Sequence, residues 1–600
     1  MWRLINGLVV LLLIVLFALP LCAGTYYTFL AVLAFTYIII AIGLNILTGY
    51  TGLFSLGHAG IAAMGAYASA MLSKALVAYD GLVWLGLNVG IGIAVGIGLS
   101  CAVGAVIAYP SLKAKGPYLA MITISFGWII WEILVEWTSV TGGELGIRGV
   151  PGLRIGSINF DTHKFYYVVL LFCLGSLWLQ RNLVKSRFGR NFMAIRASEP
   201  AAASVGINIY RHKVLAFVVS AFFAGLGGAL FAHQQRYVNP DTFHFFDSVF
   251  YLLAILFGGA GTLMGPVVGA AVLTFLPEML HGFDMYRLIV YGVIIIGVLY
   301  LIPRGIGGEI AAFLQERRES ATPSTTPSLE RISSSTPPVT VSTSSKVGTI
   351  LQVQRVSIRF GGLIAVNDVS FVVEPGSVTS IIGPNGAGKT TLLNLVSGVY
   401  RPETGDIFFQ GAPITTRSMD ARACLGIART FQNLRLFGDM TTVENVIIGF
   451  QPHTKATLLQ ATFRTASLRN EETELRRKAE DLLAFTGIRA YRDTVAASLP
   501  YGHQRKLEIA RALATAPSLL LLDEPAAGLN AAEIAELDEL IRRINRLGVT
   551  ILLVEHHVDL VMSISNRVVV LDYGAKIAEG GPVEVQSDPK VVEAYLGTAA

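Results

Sequence analysis

This chain is short of charge. Asp, Glu, Lys and Arg make up 14% of its 600 residues, against about 25% in an average soluble protein. The charge that is present is nearly balanced, with 46 basic and 41 acidic side chains and a net of +5. No basic face for nucleic acid is indicated. Cysteine is rare as well. Cys22, Cys101 and Cys173 fall in apolar blocks and Cys424 lies elsewhere, without paired spacing. They read as buried free thiols, which argues against a disulfide framework or a cysteine metal centre.

Apolar sequence is abundant but unevenly placed. Hydrophobic residues reach 53%, and up to about residue 303 they run in uncharged blocks such as "GLVVLLLIVLFALPLC" and "YRLIVYGVIIIGVLYLI". From about 349 onward, charge and turn residues return at ordinary density. Between the halves, "ESATPSTTPSLERISSSTPPVTVSTSSK" has almost no large apolar side chain. Such composition cannot offset the entropy of ordering and reads as a disordered linker. Three regions follow: a polytopic helical membrane domain at 1–315, a linker at 316–348 and a soluble domain at 349–600. Two polypeptides fused into one would give this layout.

A spanning helix needs about 20 mostly apolar residues. Segments are expected near 5–22, 27–48, 55–73, 85–108, 117–135, 165–180, 214–233, 247–262, 264–281 and 286–302. The first is a spanning helix and not a cleaved signal, because Leu21 is too large for a cleavage site and further membrane segments follow. The loop 181–213 carries seven Lys or Arg against Glu199, so it is expected to be cytoplasmic. Counting back places the N-terminus, Lys113 and Lys115 on that side too. Counting forward, the soluble half is cytoplasmic only if "LAILFGGAGTLMGPVVGAAVL" is two segments broken at 258–266, either short spans or a re-entrant pair.

"GYTGLFSLGHAGIAAMGAY" (49–67) is a second glycine-interrupted stretch. Paired interruptions either mark a substrate pathway, through Gly258, Gly261 and Gly265, or close helix packing. His58 either lines that pathway or hydrogen-bonds a neighbouring helix.

In the soluble half, "SIIGPNGAGKTTLLNLVSG" runs from a strand-like stretch into a helix with P-loop spacing. Gly383, Pro384, Asn385, Gly386, Ala387 and Gly388 would wrap phosphate with backbone N–H groups. Lys389 would reach the β/γ oxygens, and Thr390, followed by Thr391, would hold Mg²⁺. "SLLLLDEPAAGLN" gives a strand ending in Asp523, suited to the Mg²⁺ shell, and Glu524, placed to polarise the attacking water. ATP and Mg²⁺ are therefore expected, and no other metal.

These motifs resemble the ATP-binding cassette (ABC) ATPases over the entire soluble half. The family signature, usually Leu-Ser-Gly-Gly-Gln, stands here as Leu499, Pro500, Tyr501, Gly502 and His503. In the family it completes the ATP site of the opposite subunit, and here Pro500 offers neither hydroxyl nor N–H. The resemblance further implies that Phe360 stacks on adenine, that Gln432 senses Mg²⁺ and that His556, in preference to His557, contacts the γ-phosphate. Asn530 stands where the family has an aspartate.

Both halves resemble branched-chain amino acid importers. The soluble half does so in its "LAYGQ"-like signature, the "AGLN" loop, the polar insertion at 451–497 and the "AYLG" ending. The membrane half does so in "LNILTGYTGLFSLGHAGIAAMGAY", "GPYLAMITISFG", "TGGELGI" and "PRGIGG". "EPAAASVGINIYRHK", with Glu199 and Gly206, is similar to the cytoplasmic coupling loop of importer permeases. The resemblance implies ATP-driven import of branched-chain amino acids across a bacterial or archaeal cytoplasmic membrane. It also implies a second permease, a second ATPase and an extracytoplasmic binding protein as partners. A urea or short-chain amide importer, a half-size exporter and a regulated ATPase without transport stand as alternatives.

Overall fold

The computed structural model describes residues 2–112, 114, 116–280, 286–302, 304–309 and 348–596. Lys113, Lys115 and nearly all of the expected linker fall outside the described residues. The chain divides into two units, Met1–Arg196 with Tyr210–Ser324 and Ala197–Ile209 with Thr325–Ala600.

In the first unit the apolar blocks form helices. They are α1 (Trp2–Cys22), α2 (Thr25–Leu44), α3 (His58–Ala75), α4 (Leu87–Ser111), α5 (Pro117–Glu136) and α6 (Thr162–Val184). After a polar stretch come α9 (Ile209–Gln235), α10 (Phe245–Gly258), α11 (Gly265–Met279) and α12 (Arg287–Leu301). Seven helices among the described residues are long and apolar enough to cross a membrane. Helix α10 is part of one of them, Pro240–Gly258, whereas α11 and α12 have 15 residues each. At 1.5 Å per residue each of these two is about 23 Å long, short of a hydrocarbon core of about 30 Å.

Helix α2 is apolar on every side and buried over most of its length, as a helix at the centre of a bundle must be. Small residues let its neighbours close in. A Cβ on Gly65 of α3 would lie 2.4 Å from the Gly225 carbonyl oxygen of α9, and one on Gly96 of α4 would lie 2.5 Å from that of Gly65.

Two sequence expectations need correction. The loop 181–213 is mostly helical: α6 runs on to Val184, and α7 (Arg187–Ala197) and α8 (Glu199–Ser204) follow before α9 begins at Ile209. Ser198 caps α8 by accepting the Ala201 N–H at 3.4 Å. The four thiols are free, but only Cys173 is buried, while Cys22 and Cys424 are exposed. An apolar run places a residue in a helix without choosing its face.

The second unit contains a six-stranded sheet. Its strands are β3 (Val378–Ile382), β5 (Ile427–Arg429), β6 (Leu519–Asp523), β7 (Thr550–Val554), β8 (Arg567–Asp572) and β9 (Ala575–Gly580), in the order β5-β6-β7-β3-β8-β9. All neighbours are parallel except β8 and β9. Strands β3, β6 and β7 are buried at every residue, which explains their unbroken apolar sequence. A smaller sheet is built from β1 (Leu351–Phe360), β2 (Leu363–Val373) and β4 (Thr404–Phe409), with a two-residue edge at Ala412–Pro413. The strand order sets the ends of β5, β6, β7 and β3 side by side, where ligands bind in open α/β sheets.

Replacing Gly65 by Val should break the packing of α3 on α9, because a backbone oxygen cannot swing aside as a side chain does. A cost of about 1–3 kcal/mol or more is expected for overpacking. It should appear as an earlier loss of helical circular dichroism on heating the detergent-solubilised chain. An unchanged melt would contradict this packing.

Candidate functional site

Four loops at the sheet's carboxyl edge build the site. The first follows β3. Gly383, Gly386 and Gly388 have φ of 149°, 84° and 93°, a region open to glycine. Gly388 also has no room for a Cβ, which would lie 2.3 Å from the Ala365 oxygen. Pro384, Asn385 and Ala387 complete the loop. Helix α13 (Lys389–Ser397) starts directly after it, so N–H groups at a helix N-terminus are turned toward the loop. The Lys389 ammonium donates to the carbonyls of Gly383 and Pro384, both at 2.8 Å. Burial pulls its pKa down, and Glu524 and Asp523 oppose that shift.

The second loop follows β6. The Asp523 carboxylate is buried and accepts from Arg429 Nη2 at 2.9 Å on one oxygen and from the Thr390 hydroxyl at 3.5 Å on the other. Burial pushes the Asp523 carboxyl up, and Arg429 pulls it back. Glu524 has φ of 45°, uncommon for a residue with a side chain and typical of functional turns. Its carboxylate accepts from Gln432 Nε2 at 2.8 Å and from His556 Nε2 at 2.8 Å. An ionised carboxylate only accepts, so this contact suits the His556 tautomer that carries its N–H on Nε2. Gln432 follows β5 and His556 follows β7, so all three loops converge on one carboxylate. His557 does not reach it; its N–H faces Glu555 at 3.4 Å.

Other expected residues stand apart from this cluster. Phe360 is 45% exposed and meets Tyr400 edge-on at 5.1 Å, so it presents an aromatic surface outside the core. Pro500 is the N-cap of α14 (Tyr501–Ala514). Tyr501 donates to the Ala527 carbonyl at 3.2 Å, and a Cβ on Gly502 would lie 2.4 Å from a Glu533 carboxylate oxygen. His503 packs on Tyr491 at 4.8 Å. Asn530 caps α15 (Ala531–Arg546) by accepting the Glu533 N–H at 3.0 Å.

Several residues that shape the site escaped the sequence reading. Arg429 holds Asp523, Asn394 Oδ1 at 2.6 Å and Ser397 Oγ at 2.7 Å. Glu555 is buried and ties two site loops together, accepting from Ala526 N–H at 2.7 Å and His556 N–H at 2.9 Å. On α14, Arg505 donates to the carbonyls of Phe431 and Gln432 at 2.8 and 3.0 Å. Arg511 donates to the Arg435 carbonyl at 2.8 Å, and Glu508 lies between the two arginines. Their signal was charge in an otherwise apolar, buried helix: Arg505, Glu508 and Arg511 recur every three residues among Leu507, Ile509, Ala510 and Leu513.

In the membrane unit, His58 is fully buried and its Nε2 lies 3.2 Å from Ser220 Oγ. Gly258, Gly261 and Gly265 sit where backbones nearly touch. A Cβ on Gly258 would lie 1.9 Å from the Gly265 oxygen. Gly206 has φ of 84°, and its Cβ would meet Pro452 at 3.1 Å and the Cys424 sulfur at 3.2 Å. Gly206 belongs to the second unit, where its segment is held by Asn208 Nδ2 to Asp420 Oδ2 at 2.9 Å and Arg435 Nη1 to Ser198 Oγ at 3.4 Å. Glu199 opens α8 at the first helical position.

Comparison with known proteins agrees with this geometry. Residues 26–299 match the family described as the branched-chain amino acid transport system permease component. Residues 366–527 match ABC transporters, and 575–600 match a branched-chain amino acid ATP-binding cassette transporter family. The ATP-binding protein BraF of Pseudomonas aeruginosa is 44% identical over 251 residues, 42% of this chain and 98% of BraF. The permease protein LivM of Escherichia coli is 31% identical over 302 residues, 46% of this chain and 69% of LivM. The chain belongs to the branched-chain amino acid ABC transporter family. It is a fused permease and ATPase, a multi-pass membrane protein whose soluble half binds nucleotide. A solved nucleotide-free cassette from an ABC transporter is 33% identical, covers 42% of this chain with all of its own length and gives a TM-score of 0.37.

Replacing Arg429 by Met would leave Asp523 buried without its ion partner, at a cost of about 3–5 kcal/mol. Replacing Asp523 by Leu as well should recover most of that stability. The urea concentration at which the soluble half of the full chain becomes protease-sensitive reports both. Equal stability of wild type and the Arg429→Met chain would contradict the pairing.

Proposed function

We propose that this chain drives import of branched-chain amino acids with the energy of ATP hydrolysis, as the fused permease and ATPase subunit of a transporter in a bacterial or archaeal cytoplasmic membrane. The observation that carries the reading is the presence, on one chain, of matches to the permease and to the ATPase of the same system. The ATPase and the N-terminus face the cytoplasm, in keeping with the basic stretch 181–213. A second permease, a second ATPase and an extracytoplasmic binding protein complete the transporter.

The loop 383–388 wraps the phosphates of ATP, and Lys389 turns its ammonium from the Gly383 and Pro384 carbonyls to phosphate oxygens. Phe360 offers its face to adenine. Thr390, Gln432 and Asp523 present hydroxyl, amide and carboxylate oxygens, a donor set that suits Mg²⁺; bound magnesium neutralises charge on the phosphates. Glu524 orients and polarises water, and His556 supplies an N–H donor beside it. Pro500, Tyr501, Gly502 and His503 serve the ATP site of the opposite ATPase. Glu199 and Gly206 belong to the segment that links ATPase closure to the permease, and Gly258, Gly261 and Gly265 border the route through it. The short helices α11 and α12 and the small helix α8 do not fit the six long helices of a half-size exporter.

The complex reconstituted in vesicles with leucine-loaded binding protein should accumulate leucine only with ATP. Lys389→Ala should abolish uptake. Glu524→Gln should retain ATP binding and slow hydrolysis by about 10²–10³-fold, the scale of a lost catalytic polar group. No leucine uptake by the wild type would contradict the transport reading, and normal turnover of Glu524→Gln would contradict that role.

A further inference from the structure

The two glycine-interrupted stretches of the permease meet at one junction. A π-helical turn, Asn45–Tyr50, follows α2, and the Asn45 amide spans from it to the second stretch. Its oxygen accepts the Gly261 N–H at 2.8 Å, and its nitrogen donates to the Thr262 carbonyl at 2.8 Å. A Cβ on Gly49 would lie 2.4 Å from Gly261 N, so the two backbones are in direct contact.

Arg196, near the end of α7, reaches into this junction. Its Nη1 donates to the Gly49 carbonyl at 2.6 Å, where the exposed carbonyls of a helix end favour a cation. The stem of Arg196 lies 3.1 Å from the place a Cβ on Gly52 would take, and its Nη1 lies 2.9 Å from that on Gly261. One guanidinium and its stem thus occupy the room left by a glycine in each stretch. The next residue, Ala197, opens the segment that belongs to the ATP-site unit. Ser198 of that segment already accepts from Arg435.

We propose that Arg196 is a positioning residue for transport, tying the segment held by the ATPase to the junction of the two interrupted helices. The inference rests on the import reading above. A π turn differs from an α-helix by one step in hydrogen-bond register. A small pull at the Gly49 carbonyl can therefore shift the junction between two packings, the way a packed core amplifies a small displacement.

The test compares ATP hydrolysed per leucine taken up, in vesicles holding the whole complex and loaded binding protein, for the wild type, Arg196→Ala and Arg196→Lys. Arg196→Ala should raise that ratio roughly tenfold, the weight of one charge-assisted hydrogen bond, and Arg196→Lys should recover part of it. A merely structural role would lower the amount of active complex and reduce hydrolysis and uptake in proportion, with the ratio unchanged. Gly52→Ala provides a second route, because it crowds the Arg196 stem while keeping the charge, and it should also raise the ratio. Wild-type ratios in Arg196→Ala and Gly52→Ala would overturn the tie while leaving the import reading intact. Absence of wild-type uptake would instead remove the import reading, and the tie with it.

Discussion

The carboxylate of Glu524 is held at both oxygens by donors from two other loops, Gln432 and His556, each at 2.8 Å. Nearly everything else in the soluble half serves to make that meeting possible. The parallel order β5-β6-β7-β3 brings the three loops and the P-loop to one edge. The left-handed turn at Glu524 directs its side chain, and Glu555 braces the loops beside it. Such a carboxylate is preorganised, which is how polar groups contribute most to catalysis.

Gln432 also connects the site to its surroundings through its backbone. Arg505 and Arg511 of α14 hold the carbonyls of Phe431, Gln432 and Arg435, and Glu508 between them keeps these buried charges paired. Removing one partner of such a group is far costlier than never having had it. The signature helix and the loop bearing Gln432 are therefore one mechanical piece. Arg435, on the same loop, donates to Ser198 of the segment 197–209. A change at Gln432 accordingly has a short physical path toward the segment that the permease contributes.

The parts of this arrangement that repeat a period or a motif were readable in advance. Helix positions followed from apolar run length, and the P-loop, Asp523 and Glu524 from residue types at set spacing. Three-dimensional pairings were not readable. Arg429 looks like an isolated charge in a strand until its partner Asp523, 94 residues away, is seen. Arg196 counted only as one basic residue setting topology, because its bond to Gly49 joins positions 147 apart. Helix α7 was hidden for a different reason: positive charge dominates its stretch, while α8 opens at a serine cap.

The account turns on the permease segment 197–209 being seated on the ATPase. Gly206→Cys would place a thiol within disulfide reach of Cys424, since a Cβ there lies 3.2 Å from its sulfur. With a protease site inserted within residues 319–346, mild oxidation followed by cleavage should leave both halves joined on a non-reducing gel and separate on reduction. The same chain with Gly206 intact should separate without reductant. If the oxidised Gly206→Cys chain also falls into two fragments before reduction, the segment is not seated there and the account fails.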